Sequence, residues 1–111
     1  MTAQLSETKK MHHSARLAQL IRIYERGPVS ERMEVTLDKL LSLEAAEARR
    51  DVEELSADLL KFEERFGMDS QTFYARFKAG ELGDDMDFIE WAAFFNMYQH
   101  AQERLAALGE A

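Results

Sequence analysis

The chain has 111 residues, 46% hydrophobic and 32% charged, with a formal net charge of −7, which is the length of one domain and the balance of a globular protein. Zero cysteines exclude disulfides, thiolate metal sites and cysteine nucleophiles. With no run of about 18 apolar residues and no compact apolar stretch at the N-terminus, the sequence predicts neither membrane spanning nor secretion, and so a cytoplasmic location.

Residues 1–13 are polar and carry no periodicity, and they read as a flexible basic tail. From Ser14 to Arg26, Leu17, Leu20, Ile21 and Tyr24 recur at i, i+3, i+4 and i+7, the stripe of an amphipathic helix that Gly27-Pro28 ends. The stretch Ser30–Leu37 is ambiguous. Met33, Val35 and Leu37 alternate as a strand does, while Ser30 or Thr36 can each cap a helix; helix is favoured.

No Gly or Pro occurs from Thr36 to Phe66. Leu41, Ala45, Ala48, Val52, Leu55, Leu59, Phe62 and Phe66 are spaced alternately by four and three, a heptad stripe on an otherwise charged surface. A helix over 36–66 reaches about 45 Å, whereas a compact domain of this size has a radius of gyration of about 13 Å. Such a helix must fold against a second long helix, against another chain, or both. Gly67 predicts its end, and Asp69 caps a short helix over 70–78, with Met68 and Phe73 placed as a hydrophobic staple. Gly80-Glu-Leu-Gly83 is a turn, after which Asp84 or Asp85 caps a last helix over 85–108.

Within Phe88–Tyr98 only Glu90 and Asn96 interrupt the apolar run. Projected on a helix, Phe88, Trp91, Phe94, Phe95 and Tyr98 fall within an arc of about 120°, while Ile89, Ala93 and Met97 form a separate i, i+4, i+8 stripe. One face suits the heptad helix; the other asks for a second surface. The predicted fold is all-α, with 14–111 as a single domain: a long heptad-bearing helix in an antiparallel hairpin or bundle with a C-terminal aromatic helix, plus short helices.

The charge is unevenly spread. Residues 1–30 carry five Lys/Arg against two Asp/Glu, residues 31–66 six against eleven, and residues 67–111 three against eight. The acidic body repels nucleic-acid phosphates and suits a basic protein, so any DNA contact falls to Lys9, Lys10, Arg16 and Arg22, with Arg26 beside them. Asp84, Asp85, Asp87 and Glu90 are the nearest approach to a cation site, yet acids gather at helix starts for capping and dipole reasons, and no calcium-loop spacing is present. His12, His13 and His100 have no ligand at metal spacing, and phosphate loops and nucleophile elbows are absent. No catalytic, metal or cofactor residue is therefore assigned.

The block Phe66-Gly-Met-Asp-Ser-Gln-Thr-Phe73-Tyr-Ala-Arg-Phe77, followed by Gly80-Glu-Leu-Gly-Asp-Asp85-Met-Asp-Phe88-Ile-Glu-Trp91, resembles one found in a group of small prokaryotic helical proteins often encoded beside toxin-like proteins. The similarity covers about residues 35–108 and implies an antitoxin role. Its shared positions are Gly67, Met68, Phe73, Phe77, Gly80, Leu82, Gly83, Asp84, Asp85, Asp87, Phe88, Glu90 and Trp91, each of which turn, cap and core requirements explain equally well. The expected function is thus a non-enzymatic, homodimeric interaction module that binds and neutralises a basic, toxin-like protein. Its expected interface is Leu41, Ala48, Val52, Leu55, Leu59, Ile89, Ala93 and Met97. The alternatives are a homo-oligomeric scaffold built on the heptad helix and a DNA-binding autorepressor using the basic N-terminal region.

Overall fold

A computed structural model describes the backbone of residues 2–109 and the side chains of residues 13–109. Four helices follow one another: α1 (Thr2–Arg26), α2 (Glu31–Phe66), α3 (Ser70–Lys78) and α4 (Met86–Ala107), with no strand among the described residues. The fold is all-α, as its periodicity predicts. Contacts divide the chain into two units, Met1–Asp38 and Lys39–Ala111, where the sequence reading draws one domain over 14–111.

The first difference from expectation lies at the N-terminus. Helix α1 begins at Thr2, not Ser14, so the expected flexible tail over 1–13 gives way to helix from Thr2 onward. Residues 2–26 hold no Gly or Pro and many good helix formers, and backbone propensity does not need an apolar stripe to act. Helix α2 likewise starts before Thr36. The Ser30 hydroxyl accepts from the Met33 N–H at 3.2 Å, and Glu31 and Glu34 lie in the first turn beside the positive end of the dipole. Capping thus decides the 30–37 ambiguity against the strand pattern.

Gly67, at φ 65°, adopts the left-handed conformation that lets the chain leave α2, its N–H donating to the Glu63 carbonyl at 2.9 Å. Asp69 then caps α3 by accepting from the Thr72 N–H at 2.8 Å. At the other end of α3, Glu81 N–H donates to the Arg76 carbonyl and Gly80 N–H to the Phe77 carbonyl, each at 3.1 Å. That pair of bonds is a Schellman motif, and it requires the left-handed backbone of Gly80 at φ 78°. Asp85, not Asp84, caps α4, accepting from the Asp87 N–H at 3.0 Å.

Within Lys39–Ala111, α2 and α4 run antiparallel. Phe66 meets Phe88 with ring centroids 5.3 Å apart, Phe62 meets Phe94 at 5.9 Å, and near the opposite end Arg104 is ion-paired with Glu44. Helix α3 closes the third side through Phe73 and Tyr74, the latter 5.0 Å from Phe95. The core is Leu59, Phe73, Trp91, Ala92 and Phe95, with Phe62, Phe66, Met68, Phe77 and Phe88 among the side chains packed around it. Trp91 and Phe73 are fully buried, with rings stacked at 3.7 Å and 4°. Burying such a ring stabilises by about 1.5–3 kcal/mol.

One polar relay runs through this core. The Trp91 indole N–H donates to the Ser70 hydroxyl at 2.9 Å, and the Ser70 backbone N–H donates to a Glu63 carboxylate oxygen at 2.7 Å. Because α2, α3 and α4 each contribute one member, the relay fixes how the three helices meet. Among the described residues no buried side-chain polar atom lacks a partner, as a well-specified core requires.

Candidate protein-interaction surface

The aromatic arc of α4 faces inward, as the helical projection predicts: Phe88, Trp91, Phe94, Phe95 and Tyr98 all belong to the core cluster or pack on it. The second stripe remains outside. Ile89 and Met97 are each 45% exposed, Ala93 is exposed, and Met86, one turn before Ile89, is 77% exposed. At spacings of three, four and four these four residues lie along one side of α4. Neither α2 nor α3 covers that side.

At Met97 the stripe runs into a groove of about 430 Å³ between α2 and α4, lined by Asp51, Glu54, Leu55 and Asp58 from one helix and Met97, His100, Ala101 and Arg104 from the other. Its apolar members are Leu55, Met97 and Ala101, and its α2 side carries three carboxylates. Arg104 does little to offset them, since its guanidinium is engaged by Glu44. The groove therefore combines apolar side chains with negative charge.

The eight expected interface residues separate into three sets. Ile89, Ala93 and Met97 are exposed, and so is Leu41, at 54%. Val52 and Leu55 are half-buried. Ala48 and Leu59, by contrast, are 1% and 4% exposed and offer a partner no surface, because these two positions of the heptad stripe are satisfied within the chain. The stripe is not uniform: α2 has 36 residues and α4 only 22, and the Glu44–Arg104 pair marks the level near which α4 gives out. Leu40, Leu41 and Leu43, just before it, are 50–60% exposed.

On α1, Arg16 and Arg22 are exposed, and with Gln19, Leu20, Ile23 and Arg26 they line one shallow face of the helix. The side chains of Lys9 and Lys10 lie outside the described residues. The apolar stripe of α1 is also largely uncovered, with Leu17 58%, Ile21 49% and Tyr24 43% exposed.

The acidic run near the start of α4 has structural work: Asp85 caps the helix and Asp87 pairs with Arg65 at 3.0 Å. No group of three His, Asp or Glu side chains among the described residues is disposed to hold a metal ion, and no described helix is long and apolar enough to cross a membrane. Asp69 shows a perturbed acidity. The Thr72 backbone N–H, and then the Thr72 hydroxyl, hold its carboxyl below the usual carboxylate range, as capping a helix does.

No protein-family model, curated protein or solved structure is similar to the chain.

Sequence reasoning missed the groove, since it is formed by residues about 40 positions apart. The only signal was indirect: Asp51, Glu54 and Asp58 follow one side of α2 at helical spacing, next to Leu55 of the heptad stripe.

Proposed function

We propose that this protein is a non-enzymatic helical interaction module, an antitoxin-like protein that acts as a homodimer and neutralises a basic, toxin-like partner in the cytoplasm. The observation that carries the reading is the uncovered apolar stripe Met86, Ile89, Ala93 and Met97, set on a unit rich in carboxylates. A contiguous apolar strip with a polar margin is the usual anatomy of a protein contact. Negative charge around it speeds encounter with a basic protein and disfavours acidic ones. The resemblance of the Phe66–Trp91 block to proteins encoded beside toxin-like partners supplies the partner's class.

Co-expression with the product of the adjacent gene, followed by purification through a tag on this chain, tests the reading. The expected result is co-purification, with Ile89→Asp and Ala93→Asp losing the partner while keeping the wild-type helical circular dichroism. Absence of the neighbour from the purified material, or its full retention by both variants, would refute the assignment.

The exposed Arg16, Arg22 and Arg26 on one side of α1 favour a second reading, a DNA-binding autorepressor. It predicts binding to the upstream promoter with a salt slope of a few phosphates, abolished by Arg16→Glu with Arg22→Glu. Undiminished binding by that variant removes it.

A further inference from the structure

We infer that the homodimer forms by reciprocal exchange of α1: the Arg16–Arg26 face of each copy lies in the acidic groove between α2 and α4 of the other. Two surfaces in this chain match one another in size, polarity and charge. The α1 face presents Ile23, 45% exposed, and the half-buried Leu20, flanked by Arg16, Arg22 and Arg26. The groove presents Leu55, Met97 and Ala101, flanked by Asp51, Glu54 and Asp58 on α2 and by His100 and Arg104 on α4, the arginine ion-paired with Glu44. Three cations thus face three carboxylates around an apolar centre. Arg16 to Arg26 extends about 15 Å along its helix, and both Asp51 to Asp58 and Met97 to Arg104 extend about 10 Å along theirs, so the groove accommodates the middle turns of the face and leaves its ends for the rim charges.

The chain cannot make this contact with itself. Helix α2 is continuous from Glu31, which puts Asp51 about 30 Å from its start. Arg26 precedes Glu31 by five residues, at most about 18 Å of chain, and the helical rise from Arg26 to Arg22 adds only about 6 Å. Ile23, within that span, therefore falls more than about 10 Å short of Leu55, which lies about 36 Å along α2, and cannot pack against it in its own chain. A second copy satisfies both, and two-fold symmetry lets each copy give one face and receive the other.

The inference deepens the homodimeric part of the proposed function and does not depend on the toxin, since it is tested on the chain alone. Sedimentation of the purified full chain across the micromolar range should give twice 12.8 kDa, with the dimer weakening as salt rises. Reversing either surface, by Arg16→Glu/Arg22→Glu/Arg26→Glu or by Asp51→Lys/Glu54→Lys/Asp58→Lys, should raise the dimer dissociation constant by roughly a hundredfold or more, because like charges then face each other. Mixing the two reversed variants restores opposite charge at both contacts, so an equimolar mixture should form a heterodimer. Ile23→Asp, a single exposed substitution, should also give a monomer and serves if a triple variant fails to fold. A monomeric wild type, reversed variants that stay dimeric, or folded variants that do not associate on mixing would each overturn the exchange. A monomeric wild type that retards a promoter duplex through Arg16 and Arg22 would overturn it too and give this face to nucleic acid.

Discussion

Replacing Ser70 by alanine removes a hydroxyl and nothing else of the relay, since the backbone N–H of residue 70 still donates to Glu63. What changes is the Trp91 indole N–H, fully buried and bonded to that hydroxyl at 2.9 Å. Stacked against Phe73, Phe62 and Phe66 at 3.7, 5.6 and 5.5 Å, the ring cannot turn its N–H to water without unpacking. A buried donor left without a partner costs about 1–3 kcal/mol, and for a unit of this size each kcal/mol lowers the thermal midpoint by roughly 4–8 °C. The contribution can be isolated by a cycle with Trp91→Phe, which removes the donor. In that background Ser70→Ala should be close to neutral, so the two costs of the same substitution should differ by about 1–3 kcal/mol. Urea denaturation followed by circular dichroism suits all four proteins. Equal costs of Ser70→Ala in both backgrounds, or none in either, would refute the reasoning and mean that the indole N–H contributes nothing to stability.

Phe73→Ala opens a cavity beside Trp91 and should cost about 3–5 kcal/mol, a large share of the 5–15 kcal/mol typical of a domain; a denaturation midpoint near wild type would contradict the core described above. The Asp69 cap gives a signed pH dependence. Its carboxyl is held below its ordinary value by Thr72, so its contribution is fully present above the unfolded carboxylate range and is lost as pH falls through the lower folded value, from about pH 4 downward. Asp69→Asn, a neutral cap, should flatten the acid limb of the urea midpoint against pH, whereas an unchanged acid limb would assign it to other groups. Gly67→Ala forces a side chain into φ 65° and should cost about 1 kcal/mol, read as a lower midpoint with an unchanged urea slope; no loss would mean that the turn relaxes to another conformation.

Legibility in the sequence followed the range of the interaction. Boundaries set by local chemistry were readable: Gly67, Asp69 and Gly80 bound α3 where backbone requirements place them, and the inward arc of Phe88, Trp91, Phe94, Phe95 and Tyr98 followed from helical period alone. Periodicity identifies an apolar face but not what covers it. That is why Leu59 and Leu41 look equivalent in the heptad stripe although one is 4% and the other 54% exposed; α4 is too short to cover both. The helix over residues 2–13 carries no apolar stripe, so its residue spacing holds no periodic signal of helix. The Ser70–Trp91 bond and the α2–α4 groove depend on residues brought together only by tertiary packing, and no local pattern announces either.

The Glu63–Ser70–Trp91 relay also makes a claim about sequence space. Its members stand 7 and 21 positions apart, and the hydroxyl and the indole need one another: indole without hydroxyl strands a buried donor, while phenylalanine opposite alanine strands nothing. Chains that share this three-helix junction should therefore keep serine and tryptophan together or exchange both, with mixed pairs rare. The interval Glu-x6-Ser-x20-Trp is then a marker by which distant relatives can be recognised where overall similarity has faded, and it selects for the junction itself, not for helices in general.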